Sequence, residues 1–309
     1  MSSPYVVLFI LLVASTYLPV LFGLDLIIGV GLSSLILLAS TPFWTRILRG
    51  RGEKSIGLRL IVGVYVFFMI VRVIEVLVFW DQLLYMAEKA WGLMLLVLIL
   101  YYYGVSGENY GFLFKPALNG LVDYLFTFII VGASLLALLV SIPAFTDIPS
   151  MLSLPLVYGI VFSMIIVLYL IVNSLFEEFL FRGLLYTTLS AALGLVVGGF
   201  LTQSLLFGLW HLPHHILYFN PYRFLFHTGF AVVFGLVASV YRRLHKSLTI
   251  PVIIHTVVNL LSFASASPQY PVIVVSGYVL GVQEVYFTAI IVLTIIYALI
   301  KILINRKKN

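Results

Sequence analysis

The feature that most constrains this chain is a succession of about ten apolar stretches, each close to the length of a bilayer crossing: residues 4–22, 26–45, 56–80, 87–104, 120–142, 153–186, 192–211, 223–243, 249–264 and 283–304. A membrane-crossing helix needs about 20 mostly apolar residues. Hydrocarbon offers the backbone no hydrogen-bond partner, so such runs must satisfy their N–H and C=O groups internally, as helices. The charged fraction is 9%, far below the roughly 25% of soluble domains. An apolar content of 63% excludes a disordered chain. The expected fold class is all-α, a polytopic transmembrane helical bundle of about 8–10 spans. The sixth stretch is too long for one straight crossing and is expected to tilt or to extend beyond the bilayer. The first is read as a retained helix, not a signal peptide, because no Lys or Arg precedes it and a second apolar run follows Asp25.

Basic residues cluster at Arg46, Arg49, Arg51, Lys54 and Arg59, at Arg242, Arg243 and Lys246, and at Arg306, Lys307 and Lys308. An even number of stretches separates each pair of clusters, so all three fall on one face. The positive-inside rule makes that face cytoplasmic and places the N-terminus there too. The chain is expected in the cell membrane as a multi-pass protein with lipid as its first partner. The net charge of +6 is distributed for membrane orientation, and no nucleic-acid partner is expected. The absence of cysteine removes disulfides, thiolate nucleophiles, iron–sulfur clusters and zinc–thiolate sites. Residues 105–119, framed by Gly104–Asn109 and Pro116–Gly120, read as an extramembrane segment whose Tyr110, Phe112 and Phe114 suit the bilayer interface. Asn220-Pro221 marks another turn. No fixed-period repeat is present.

An ionisable group inside hydrocarbon costs at least ~2.5–3.5 kcal/mol, so it persists where it is paired or lines a wet cavity. Glu178 and Arg182 are four apart and can pair on one helical face. Glu177 is turned about 100° away and has no such partner on its own helix. His211 ends the next stretch, ahead of the break at Pro213, and taken alone reads as an interfacial histidine. His214 and His215 follow in the loop. His255 and Asn259 share a face of the short ninth stretch, with Pro251 in its first turn; alone they could be hydrogen-bonding glue between helices. Arg72 and Glu75 are read as a mutually neutralising pair. Asp123 is placed near headgroups, and His227 is read as structural.

Taken in order, Glu-Glu-x-x-x-Arg at 177–182, Phe-x-x-x-His at 207–211 and His-x-x-x-Asn at 255–259 resemble the three motifs of the CAAX-processing and bacteriocin-processing (Abi) family of intramembrane endopeptidases, which includes the type II CAAX prenyl endopeptidases. The resemblance covers roughly residues 155–262. It implies a catalytic helical core at 151–265, preceded by motif-free helices at 1–150 and followed by a helix and basic tail at 266–309. It implies that Glu177 is the general base activating water, assisted by His211. Glu178 and Arg182 would support the site, and His255 and Asn259 would stabilise the oxyanion. The substrate implied is a peptide or the C-terminal segment of a membrane-associated protein, with prenylated CAAX peptides the best-known case.

The residue types suit this chemistry without the resemblance. Peptide hydrolysis needs an activated water and donors aimed at the developing oxyanion. A carboxylate, an imidazole and a carboxamide supply base, water positioning and oxyanion donors, with no cofactor. One rival is a zinc site with Glu177, His211 and His255 as ligands and Glu178 as base, although His-Glu-x-x-His is missing. A serine protease fits poorly, because Gly104-Val105-Ser106-Gly107 lies in a loop, and an aspartyl dyad needs a second intramembrane Asp beside Asp123. The rival from another class is a transporter, channel or non-catalytic immunity protein, in which the same cluster binds without hydrolysing. One tension remains at this stage. The span count places residues 212–222 on the outer face, whereas the resemblance implies a cavity open to the cytoplasm.

Overall fold

The computed structural model describes residues 4–22, 26–48, 56–79, 87–112, 118, 120–144, 156–215, 220–265, 272–275 and 278–306. The helices are α1 (Pro4–Leu21), α2 (Leu26–Ala39), α3 (Thr41–Leu48), α4 (Leu58–Phe79), α5 (Lys89–Tyr102) and α6 (Leu121–Val140). After them come α7 (Leu156–Glu178), α8 (Tyr186–Leu193), α9 (Gln203–Leu209), α10 (Pro221–His245), α11 (Thr249–Ala264) and α12 (Val282–Arg306). The bundle is all-α and polytopic, as the apolar stretches require. Five described helical runs are long and apolar enough to cross a bilayer, and five shorter apolar helices pack among them. Large apolar side chains on α4, such as Phe67, Ile70, Ile74 and Val78, point outward, while Ile61, Phe68 and Arg72 point inward. In a membrane the outward set faces lipid, which makes that exposure favourable.

Three details differ from expectation. The second stretch divides at Ser40, because Pro42 suits a helix start and not a helix interior; α3 is a separate short helix. The sixth stretch runs seven residues further than expected, to Leu193, and passes through a π-helical segment, Phe179–Leu185, between α7 and α8. A second π segment, Leu195–Thr202, leads into α9, which ends at Leu209 and leaves His211 beyond the helix. An antiparallel hairpin, β1 (Val272–Val275) with β2 (Tyr278–Gly281), joins α11 to α12 in the register Val272↔Gly281. Its β-branched run, Val-Ile-Val-Val, favours a strand.

The helix ends sort into two faces. At one, the Ile56 N–H donates to the Tyr110 hydroxyl (2.9 Å) and the Leu248 N–H to the Gly111 carbonyl (3.0 Å). Arg242 reaches the Asn109 carbonyl (3.4 Å). Gly111 adopts a left-handed φ of 74° that L-residues avoid, and a Cβ there would strike the Arg242 guanidinium. At the same face, Lys301 pairs with Asp123 (2.7 Å), tying the late turns of α12 to the first turn of α6. Asp123 is therefore held by protein, with Tyr297 also donating to it (2.6 Å), and is not left to headgroups. Because the helices alternate in direction, the ends of α4, α9 and α11 and the starts of α5, α10 and α12 lie at the opposite face.

Tyr110 and Phe112 are buried, which corrects their expected interfacial placement; Phe114 lies outside the described residues. The Phe112 ring stacks on Phe179 at 4.2 Å. A Cβ on Gly183 would collide with the Phe112 ring. The glycine that follows Arg182 is thus a packing requirement. Gly183→Ala is expected to lower stability by about 1–3 kcal/mol through overpacking, with Gly183→Ala/Phe112→Leu partly restored; thermal unfolding in detergent measures both.

Candidate active site

Glu177 and Glu178 close α7, where the helix widens into its π segment. Both carboxylates are buried. Arg182 lies 3.1 Å from Glu178 Oε1, so the expected i,i+4 pair forms across the change in helix type. The Arg182 guanidinium also lies over the Phe207 and Phe234 rings, at 4.1 and 5.1 Å. That arrangement places an aromatic face against a desolvated cation. The Arg182 carbonyl accepts from Arg242 Nε (3.2 Å). π turns recur at functional sites because they release backbone groups from the regular ladder.

Glu177 finds its partners on other helices. Its Oε1 lies 2.9 Å from Lys89 Nζ and 3.7 Å from Arg72 Nη1, and it accepts from the Trp210 indole N–H at 2.9 Å. Glu88 is 3.0 Å from Lys89 and 4.0 Å from Arg72. Trp210 is sandwiched among these charges, with the Arg72 guanidinium 4.3 Å and Lys89 Nζ 5.0 Å from its ring. Expected as a neutralising pair, Arg72 and Glu75 have other roles: Arg72 faces Glu177 and Glu88, and Glu75 accepts from Tyr17 (2.6 Å). Sequence reasoning missed Lys89, Glu88, Trp210 and this use of Arg72. Charge balance was the available signal. Glu75, Glu88, Glu177 and Glu178 in apolar runs need more cationic partners than Arg182 supplies.

α11 faces α7 in antiparallel register, forming two polar rungs. His255 Nδ1 lies 2.7 Å from Glu178 Oε1, and one turn along Asn259 Nδ2 donates to Ser174 Oγ (3.1 Å). The other edge of the His255 ring points to Glu177, with Nε2 3.4 Å from Oε2. Among the described residues Glu177 Oε2 makes no hydrogen bond. The structure therefore brings Glu177, Glu178, Arg182 and His255 into one contact network.

His211 and Asn259 line one cavity with His255. The cavity has a volume of about 600 Å³ and is walled by Phe207, Phe226, Phe230, Phe234 and Phe287 among others. His211 Nδ1 lies 2.9 Å from the Phe207 carbonyl, and its ring is 4.9 Å from that of His227. His227 Nδ1 is 3.2 Å from His215 Nε2, and both rings line the cavity; the sequence reading treated them as bystanders. Burial lowers the pKa of His215, in the loop beyond the spans, below that of a free imidazole. The side chain of His214 lies outside the described residues.

Glu177 Oε1 faces an ammonium, a guanidinium and an indole N–H, while Oε2 faces His255 Nε2. Among the described residues no group of three or more His, Asp or Glu is arranged to hold a metal ion.

Residues 159–261 match the family model described as type II CAAX prenyl endopeptidase, Rce1-like. The matched segment contains all three motifs and bears out the resemblance they carry. It implies peptidase activity and a membrane-associated peptide as substrate for this membrane protein. No curated protein and no solved structure matches the chain.

Proposed function

We propose that the protein is an intramembrane endopeptidase that hydrolyses a peptide bond with a carboxylate-activated water and no metal. The observation that carries this reading is the meeting of Glu177, Glu178 and His255 within 3.4 Å, beside a cavity lined by His211 and Asn259. Glu177 Oε1 is anchored by Lys89 and Trp210, so Oε2 is the oxygen that receives a proton from water. His211, on the cavity wall, positions that water. The water oxygen bonds to the peptide carbon, and the carbonyl oxygen becomes the oxyanion. Asn259 Nδ2–H and His255 Nε2–H donate to it. Collapse breaks the C–N bond, and the proton held by Glu177 passes to the leaving amine. Glu178, fixed by Arg182, lies 2.7 Å from His255 Nδ1 and so sets the plane of the imidazole. Five phenylalanines on the cavity wall suit an apolar substrate chain, whether a side chain or a prenyl group.

The reading is tested by incubating the purified protein with prenylated and unprenylated CAAX-type peptides and identifying products by mass spectrometry, with and without exhaustive chelation. Cleavage that survives chelation is expected; zinc-restorable loss of cleavage would overturn the metal-free mechanism. Asn259→Ala is expected to lower the rate by ~10²–10³-fold through loss of one oxyanion donor, with little change in KM. A purely structural asparagine would show its loss in thermal stability and not in kcat.

A further inference from the structure

We propose that the catalytic cavity opens on the extracytoplasmic face of the membrane, so that the substrate is a polypeptide segment presented at the outer leaflet. The term substrate rests on the peptidase reading above; the sidedness does not.

The walls of the cavity run from the middle of their helices to the ends nearest one face. α10 contributes Phe226 to Phe234, from its first turns to its middle, α11 contributes His255 to Ser262, from its middle to its last turn, and α12 contributes Gln283 to Thr288 from its first two turns. Ser262 and Glu284 are exposed at the mouth, where Gln283 donates to Ser262 (2.6 Å) across the gap between α11 and α12. His255 sits seven residues before Ser262, which places the imidazole roughly 10 Å below the mouth at the helical rise. The buried charges lie at the same depth. Lys89 opens α5, Trp210 follows α9, and Arg72 lies in the last third of α4.

The segments joining helices at the mouth face, residues 22–25, 80–88, 141–155, 210–220 and 265–281, contain no Lys or Arg, and the helix ends there add two, Lys89, which is paired with Glu177 and Glu88, and Arg223. At the other face the joining segments and helix ends carry Arg46, Arg49, Arg51, Lys54, Arg59, Lys115, Arg242, Arg243, Lys246, Arg306, Lys307 and Lys308. Loop asymmetry of this kind sets orientation, with the basic face cytoplasmic. The mouth is therefore extracytoplasmic. This resolves the tension between span count and resemblance in favour of the span count. The mouth also carries the acidic Glu284, which suits a segment bearing a cationic side chain or a free amine near the bilayer surface.

The absence of native cysteine makes the test direct. Glu284→Cys and, separately, Lys246→Cys are expressed and treated with a membrane-impermeant maleimide in sealed vesicles whose cytoplasmic face is inside. Glu284→Cys is expected to label fully before the vesicles are opened, and Lys246→Cys not until afterwards. The reverse pattern overturns the proposal. Ser262→Cys serves as a second mouth position should Glu284→Cys fail to accumulate. Labelling requires no turnover, so the two readings fail separately. Labelling from outside with no peptide cleavage removes the peptidase and leaves the sidedness. Cleavage that depends on Glu177 with labelling from inside does the opposite.

Discussion

Glu177→Gln is expected to lower peptide hydrolysis by ~10²–10⁴-fold, the range a positioned general base supplies. Glutamine keeps the shape of the side chain and can still accept from Lys89 and Trp210 through its carbonyl, so the folded protein persists. What is lost is the lone pair at the oxygen facing His255, where an NH2 group cannot take a proton. The effect is therefore expected in kcat, with KM little changed. Glu178→Gln gives a second measurement. It leaves Glu177 intact but weakens the hold on His255 Nδ1 (2.7 Å), so its loss is expected to be smaller. The two are read from single-turnover rates on one peptide. Equal losses would mean that the carboxylates act as one unit and that the division of roles is wrong. Undiminished cleavage in Glu177→Gln would remove the base assignment.

The second large effect concerns folding. Lys89→Met is expected to destabilise the protein by about 3–5 kcal/mol, because removing one partner of a buried ion pair leaves an uncompensated charge. Methionine fills much of the lysine stem, so packing against Phe176 and Trp210 is largely kept and the cost is electrostatic. The ammonium serves two carboxylates, Glu88 at 3.0 Å and Glu177 at 2.9 Å. Lys89→Met/Glu177→Gln should therefore recover a part of the loss, and adding Glu88→Gln more. A coupling of about 0.5–3 kcal/mol between positions 89 and 177 is the expected size for contacting groups. Unfolding in a graded detergent series measures it. Purely additive losses would show that Lys89 contributes packing alone.

Much of the bundle was legible because each apolar stretch had to become a helix. The ends of α4, α10, α11 and α12 fall within a few residues of the sequence reading. The exceptions have local causes: Pro42 splits one stretch, and the widened turn at Phe179–Leu185 cannot be read from hydropathy, which does not distinguish one helical pitch from another. Within the site, Glu178–Arg182 and His255–Asn259 were readable because their partners share a helix. Lys89 and Trp210 were not, since they meet Glu177 through tertiary contacts between elements far apart in the chain. His227 shows the same limit. Its neighbours His211 and His215 belong to a different segment, so no spacing on its own helix betrayed it.

The order in which the polar network lies along the chain bears on its biogenesis. Arg72 and Lys89 are synthesised before Glu177, and Arg182 follows Glu178 by one turn. When α7 enters the bilayer, counter-ions for the first carboxylate already stand in α4 and α5, and the second carries its own. Each isolated acid would otherwise oppose insertion by ~2.5–3.5 kcal/mol. The imidazole and carboxamide of α11 arrive last, docking onto a helix whose charges are already neutralised. In the order of synthesis the basic partners of Glu177 thus come before α7, that of Glu178 comes with it, and the imidazole of α11 comes last.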